Sequence, residues 1–145
     1  PQQALAVLED VQPPEKALEM RGLVAGNKAT CFLAAGEMDR AQTAMDELRR
    51  IAADRSCKKE FVQKARHTLG YLQLCMDIAR GRHADVGALQ KDFESSRAPL
   101  HRLDVQYRIA LALRHRGDRT GMEKSREYLL ENSGGTCYGE LARAL

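Results

Sequence analysis

A glycine that closes one apolar-periodic run and stands just before the next constrains this chain most. It occurs three times, as Ala35-Gly36-Glu37-Met38-Asp39-Arg40-Ala41, Arg80-Gly81-Arg82-His83-Ala84-Asp85-Val86 and Arg116-Gly117-Asp118-Arg119-Thr120-Gly121-Met122. Glycine adopts the left-handed conformation that ends a helix at little cost. An apolar residue five positions later, Ala41, Val86 or Met122, starts the buried stripe of the next helix. So short a turn forces the two helices antiparallel, giving a helical hairpin. The glycines stand 45 and 36 residues apart. That spacing suits hairpins that stack because one alone cannot bury its apolar face.

Between the glycines, apolar residues recur at three-and-four spacing almost throughout. Examples are Leu18, Leu23, Ala29, Phe32 and Leu33; Ala41, Met45, Leu48 and Ile51; Phe61, Ala65, Leu69, Leu72, Cys75 and Ile78. No stretch alternates with period two, so the pattern predicts an all-α protein. Pro13-Pro14 closes a first helix and Pro99 opens a later one. Ser133-Gly134-Gly135-Thr136 reads as a helix stop followed by a Thr136 N-cap, because no strand precedes it and no lysine completes a phosphate loop. The expected layout is a helix in 1–14, hairpins in 15–55, 56–98 and 99–133, and a capping helix in 136–145, about eight helices in one domain.

The stretch Asn27-Lys28-Ala29-x-x-Phe32-x-x-x-Gly36-x-Met38-x-x-Ala41-x-x-x-Met45-x-x-Leu48 resembles a tetratricopeptide repeat (TPR). Ala29 and Ala41 stand where the family needs small residues, and Phe32 stands at its usual aromatic position. Tyr107, Ile109, Ala110, Leu113, Gly117, Met122 and Leu129 follow the same register, and Ala4 to Pro13 resembles the second helix of a preceding repeat. The middle repeat departs, with Leu74 for the small residue and Val86 for alanine; Leu69-Gly70-Tyr71 is an alternative start, with an extra turn before Gly81. The resemblance implies a right-handed α-α superhelix of hairpins whose first helices line a concave face that binds extended protein segments. On that stripe fall Asn27, Thr30, Tyr71, Tyr107, Arg108 and Arg114. Asparagine can pair with a peptide backbone, tyrosine offers area with a polar tip, and arginine suits carboxylates. The competing reading packs the tyrosines between hairpins. The TPR subtype that clamps acidic C-termini is not expected: Gly26, Thr30 and Asp104 occupy its key positions, and only Asn27 and Arg108 match.

Catalytic constellations are missing from the sequence. His67, His83, His101 and His115 lie on separate segments and form no H-E-x-x-H pair. The cysteines, Cys31, Cys57, Cys75 and Cys137, show no C-x-x-C spacing; Cys31 and Cys75 read as small core residues. The five methionines fit core spacing better than a binding surface. With 23 Lys+Arg against 20 Asp+Glu the charge is +3 and both signs are interspersed. Carboxylates neutralise each basic stretch, so nucleic acid is not an expected partner. No metal or cofactor is expected either. The function expected is non-enzymatic binding of a protein or peptide, with self-association as a further option. The alternative is a regulatory or sensor domain of a larger transcription regulator or membrane-anchored protein. The opening at Pro1, within what resembles a repeat, leads one to expect more polypeptide upstream, with a membrane anchor or other domain. The cytoplasm is the expected compartment.

Overall fold

The computed structural model describes residues 2–82 and 85–145; His83 and Ala84 of the second glycine turn, and Pro1, lie outside the described residues. Every regular element described is an α-helix, eight in all. By their internal contacts they form two compact units, Pro1–Met76 and Asp77–Leu145. Within each, helices adjacent in sequence pack as sequential pairs.

The first unit holds α1 (Gln2–Asp10), α2 (Leu18–Ala34), α3 (Met38–Ala52) and α4 (Lys59–Ala79) as far as Met76. Helix α3 shows how sequence becomes packing. Ala41, Ala44, Met45, Leu48 and Ile51 are all buried on one face, while Asp39, Arg40, Asp46, Arg49 and Arg50 stay in solvent. Arg40 and Arg49 reach back three residues to Glu37 and Asp46 on that wet side. The buried face enters two clusters. One joins Ala29, Phe32, Leu33, Ala41, Met45, Leu72, Cys75 and Met76 with Leu5 of α1. The other joins Ala25, Leu48, Ile51, Phe61 and Ala65. Burying a side chain such as Met45 or Leu48 contributes roughly 1.5–3 kcal/mol.

The second unit holds the end of α4, then α5 (Val86–Ser95), α6 (Pro99–His115), α7 (Arg119–Asn132) and α8 (Cys137–Arg143). Helix α6 packs against α5, α7 and α8. Leu103, Leu129 and Ala142 form the cluster where α6, α7 and α8 meet. The carbonyl of Ala142 accepts a 3.0 Å hydrogen bond from Arg126 Nε, tying the last turn of α8 to α7.

The glycine stops behave as the sequence requires. Gly36, Gly81 and Gly117 have φ of 78°, 70° and 76°. In each, the glycine N–H bonds the carbonyl three residues back, and the next N–H bonds the carbonyl five back: Gly36 to Leu33 and Glu37 to Phe32; Gly81 to Ile78 and Arg82 to Asp77; Gly117 to Arg114 and Asp118 to Leu113. That pair of bonds is the Schellman arrangement, which satisfies carbonyls a helix end would otherwise leave open. Asp85 and Asp118 start the following helices by accepting from Ala88 N–H and Gly121 N–H. Pro99 stands in the first turn of α6. Of the three expected buried starts, Ala41 is buried, while Val86 and Met122 are half-exposed.

Three sequence expectations need correcting. Thr136 stands at the N-cap of α8, but its side chain makes no capping bond and its Oγ1 is buried without a hydrogen-bond partner. Leu23 was expected in the core of α2 and is 60% exposed; Gly22 and Gly26 lie buried beside it instead. Among the methionines, Met45 and Met76 fill the core, whereas Met20 is 53% exposed. Helix α4 runs for 21 residues against 17 in α2 and α6, which supplies part of the longer spacing from Gly36 to Gly81. The difference is about one helical turn.

Candidate functional site

The arrangement begins with glycine. On α2, Gly22 and Gly26 stand one turn apart on the side that meets α4. A Cβ on Gly22 would lie 2.4 Å from Phe61 Cζ, and one on Gly26 would lie 3.5 Å from a Leu48 methyl and 3.7 Å from the Thr68 methyl. Missing side chains let α2 approach Phe61, Ala65 and Thr68 of α4 closely. They leave a cleft of about 100 Å³ lined by Gly22, Leu23, Gly26, Asn27, Thr30, Leu48, Phe61, Lys64, Ala65 and Thr68.

Two of the sequence-derived site residues, Asn27 and Thr30, meet in this cleft, both exposed. The Thr30 hydroxyl donates to the Gly26 carbonyl at 3.1 Å and keeps its lone pairs toward solvent. The Asn27 amide bonds no described residue, so its donor and acceptor are both available. Lys64 is the one charged residue lining the cleft, and it too pairs with no described residue. At Leu23 the cleft meets an open hollow of about 570 Å³, lined by Lys16, Ala17, Leu18, Glu19, Met20, Leu23, Ser56 and Cys57. Glu19 is engaged there, its Oε1 accepting from the Lys58 N–H at 2.9 Å. The Cys57 thiol, held above its ordinary range by burial and by Asp54 and Glu19, contacts the Ile51 carbonyl at 3.4 Å. Lys64, Met20 and the hollow escaped sequence reasoning. The glycine pair one turn apart, next to exposed apolar residues, was the signal available.

The other four expected site residues stand elsewhere. Tyr71 is half-buried against the first unit's core. In the second unit Tyr107 is half-buried against Leu103, Leu129 and Ala142, 6.4 Å from the Tyr138 ring. Arg114 is exposed in the last turn of α6. Arg108 departs furthest from expectation: it is 4% exposed and pairs at 3.2 Å with Asp104, itself 7% exposed, one turn earlier on α6. Asp104 and Arg108 are spaced i, i+4 on α6, which puts the carboxylate within reach of the guanidinium, and both turn inward. Tyr138 of α8 completes this buried group by donating its hydroxyl to Asp104.

Burial, the Asp104 charge and that hydrogen bond hold the Tyr138 phenol far above the ordinary tyrosine value of 10.0, against the opposing pull of Arg108. Burial also raises Tyr107. The native state therefore keeps these protons at pH values where the unfolded chain has released them. Stability is fully present below about pH 10 and falls above it, because the unfolded state there binds fewer protons. The urea midpoint should drop between about pH 9 and pH 11, and the Tyr138→Phe variant should show a visibly smaller drop. An equal drop in that variant would place the Tyr138 hydroxyl in solvent.

Among the described residues, no group of three or more His, Cys, Asp or Glu side chains is placed to hold a metal ion, and no helix is long and apolar enough to cross a membrane. No disulfide joins the cysteines. The fold defines an all-helical protein of eight described helices packed as sequential pairs. No protein-family model, curated protein or solved structure matches the chain.

Proposed function

We propose that this chain is a non-enzymatic, TPR-like stack of helical hairpins, a right-handed superhelix whose first helices bind a segment of another protein. The observation that carries the reading is the cleft between α2 and α4. It brings Asn27 and Thr30 together with Leu23, Lys64 and Thr68 on first helices of successive hairpins. An unpaired amide can grip a peptide backbone through one donor and one acceptor. The exposed Leu23 and Met20 offer apolar area that water covers at a cost of about 25 cal/mol per Å². The repeated Schellman turn supports the repeat, because the same backbone stop recurs at each hairpin. Arg108, buried in α6, stands outside this site.

A partner isolated by co-purification should bind Leu23→Asp and Asn27→Ala at least tenfold more weakly, a loss of about 1.4 kcal/mol each. Both positions are exposed, so the variants should keep their helicity and urea midpoint. Gln42→Ala, on the wet side of α3, serves as control. Unchanged binding by folded Leu23→Asp and Asn27→Ala would remove the site from the α2–α4 face.

A further inference from the structure

The cleft and the hollow both have Leu23 in their lining and so adjoin along α2, between Lys16 and Thr30; together they are the groove. Its two ends differ in chemistry. The hollow offers Leu18, Met20 and Leu23, of which Met20 and Leu23 are large apolar side chains more than half exposed. The cleft offers an amide, hydroxyls and the Lys64 ammonium.

Charge along the groove is mixed, with a positive excess. Three charged residues line it, Lys16, Glu19 and Lys64. Glu19 is occupied by the backbone N–H of Lys58, and Arg21, just outside, pairs with Glu47 at 3.3 Å. The Glu19 carboxylate keeps its negative charge, so the lining carries two positive charges to one negative, and in the cleft Lys64 is the one charge. Neither lining set contains an arginine fork or an exposed aromatic ring, which disfavours phosphate-backbone and base-stacking ligands.

We propose that the groove takes an internal, extended segment of a partner protein carrying one large apolar side chain in the hollow and a carboxylate at Lys64. Asn27 and Thr30 bond the backbone between the two anchors. This proposal rests on the peptide-binding reading above and adds the chemistry of the ligand.

The test is selection of random dodecapeptides, displayed both as internal loops and with free C-termini, on the intact chain and its variants. The intact chain should enrich, in the internal format, a large aliphatic or aromatic residue with Asp or Glu at a fixed spacing from it. A synthetic peptide of that consensus should bind Lys64→Glu at least tenfold more weakly, and exchanging the peptide's acid for lysine should restore binding to that variant. Leu23→Asp should abolish binding. Consensus peptides that lose Leu23→Asp but bind Lys64→Glu unchanged would overturn the carboxylate assignment and leave the peptide-binding reading standing. Enrichment confined to free C-termini would overturn the internal segment. No enrichment, or peptides binding all variants equally, would overturn the underlying reading itself. Self-association of the chain abolished by Leu23→Asp would instead give the groove to a second copy and overturn the proposal.

Discussion

Asp104→Ala should lower the unfolding free energy by about 3–5 kcal/mol, because it strands the Arg108 guanidinium in the interior of the second unit without its counter-charge. Arg108 is 4% exposed and its Asp104 partner stands 3.2 Å away. A buried cation keeps its charge, since arginine does not deprotonate in proteins. The removed carboxylate also leaves the Tyr138 hydroxyl without its acceptor. The effect belongs to the broken pair and not to the pair's net worth, which desolvation largely cancels. The combination Asp104→Leu, Arg108→Met and Tyr138→Phe should therefore recover most of the loss. Urea titrations of the three chains measure this directly. A cost below about 1 kcal/mol for Asp104→Ala would mean that water reaches the pair.

Gly22→Ala is expected to destabilise by about 1–3 kcal/mol, although alanine is the better helix former by up to about 1 kcal/mol. The added Cβ would stand 2.4 Å from Phe61 Cζ and 3.3 Å from an Ile51 methyl, so either Phe61 leaves its place in the core or α2 moves away from α4. Phe61→Leu removes the obstructing ring edge. The double variant should thus be more stable than the sum of the singles predicts, a coupling measured by a double-mutant cycle. Gly70→Ala supplies the contrast, since that glycine is exposed in mid-helix with no atom within 4 Å of its added Cβ. It should stabilise by about 0.5–1 kcal/mol. If both glycines respond alike, the close approach of α2 to α4 is wrong.

These two sites also mark where the amino-acid sequence was and was not legible. Helix ends were legible because a Schellman stop needs one residue type in one backbone conformation, and Gly36, Gly81 and Gly117 provide it. Helix α3 was legible because its apolar and charged residues separate cleanly onto two faces. Helix α2 was misread at Leu23. A periodicity count weighs side-chain hydrophobicity, so it gives no credit to glycines that carry the buried stripe by being small. In α6 the buried Asp104 and Arg108 broke the rule that charges lie outside, which holds only while charges are unpaired. The division into two units at Met76 falls inside α4, where no proline, glycine or change of composition announces it.

For the candidate site, spacing placed Asn27 and Thr30 on one surface of α2, and the fold sets Lys64 and Thr68 opposite them. Register alone also placed Tyr71 and Tyr107 on that stripe. Each is half-buried against the core of its own unit, because a residue at the border of an apolar face can turn either way.

The central claim is that the α2–α4 groove is where a partner segment binds, and amide chemical shifts of the whole chain titrated with the selected consensus peptide test it most directly. The account predicts saturable shifts concentrated at Leu18, Leu23, Asn27 and Thr30 on α2 and at Lys64 and Thr68 on α4, with Gln42, Asp46 and Arg49 of α3 unmoved. Largest shifts on the wet side of α3 or on α7, with α2 and α4 unmoved, would contradict it.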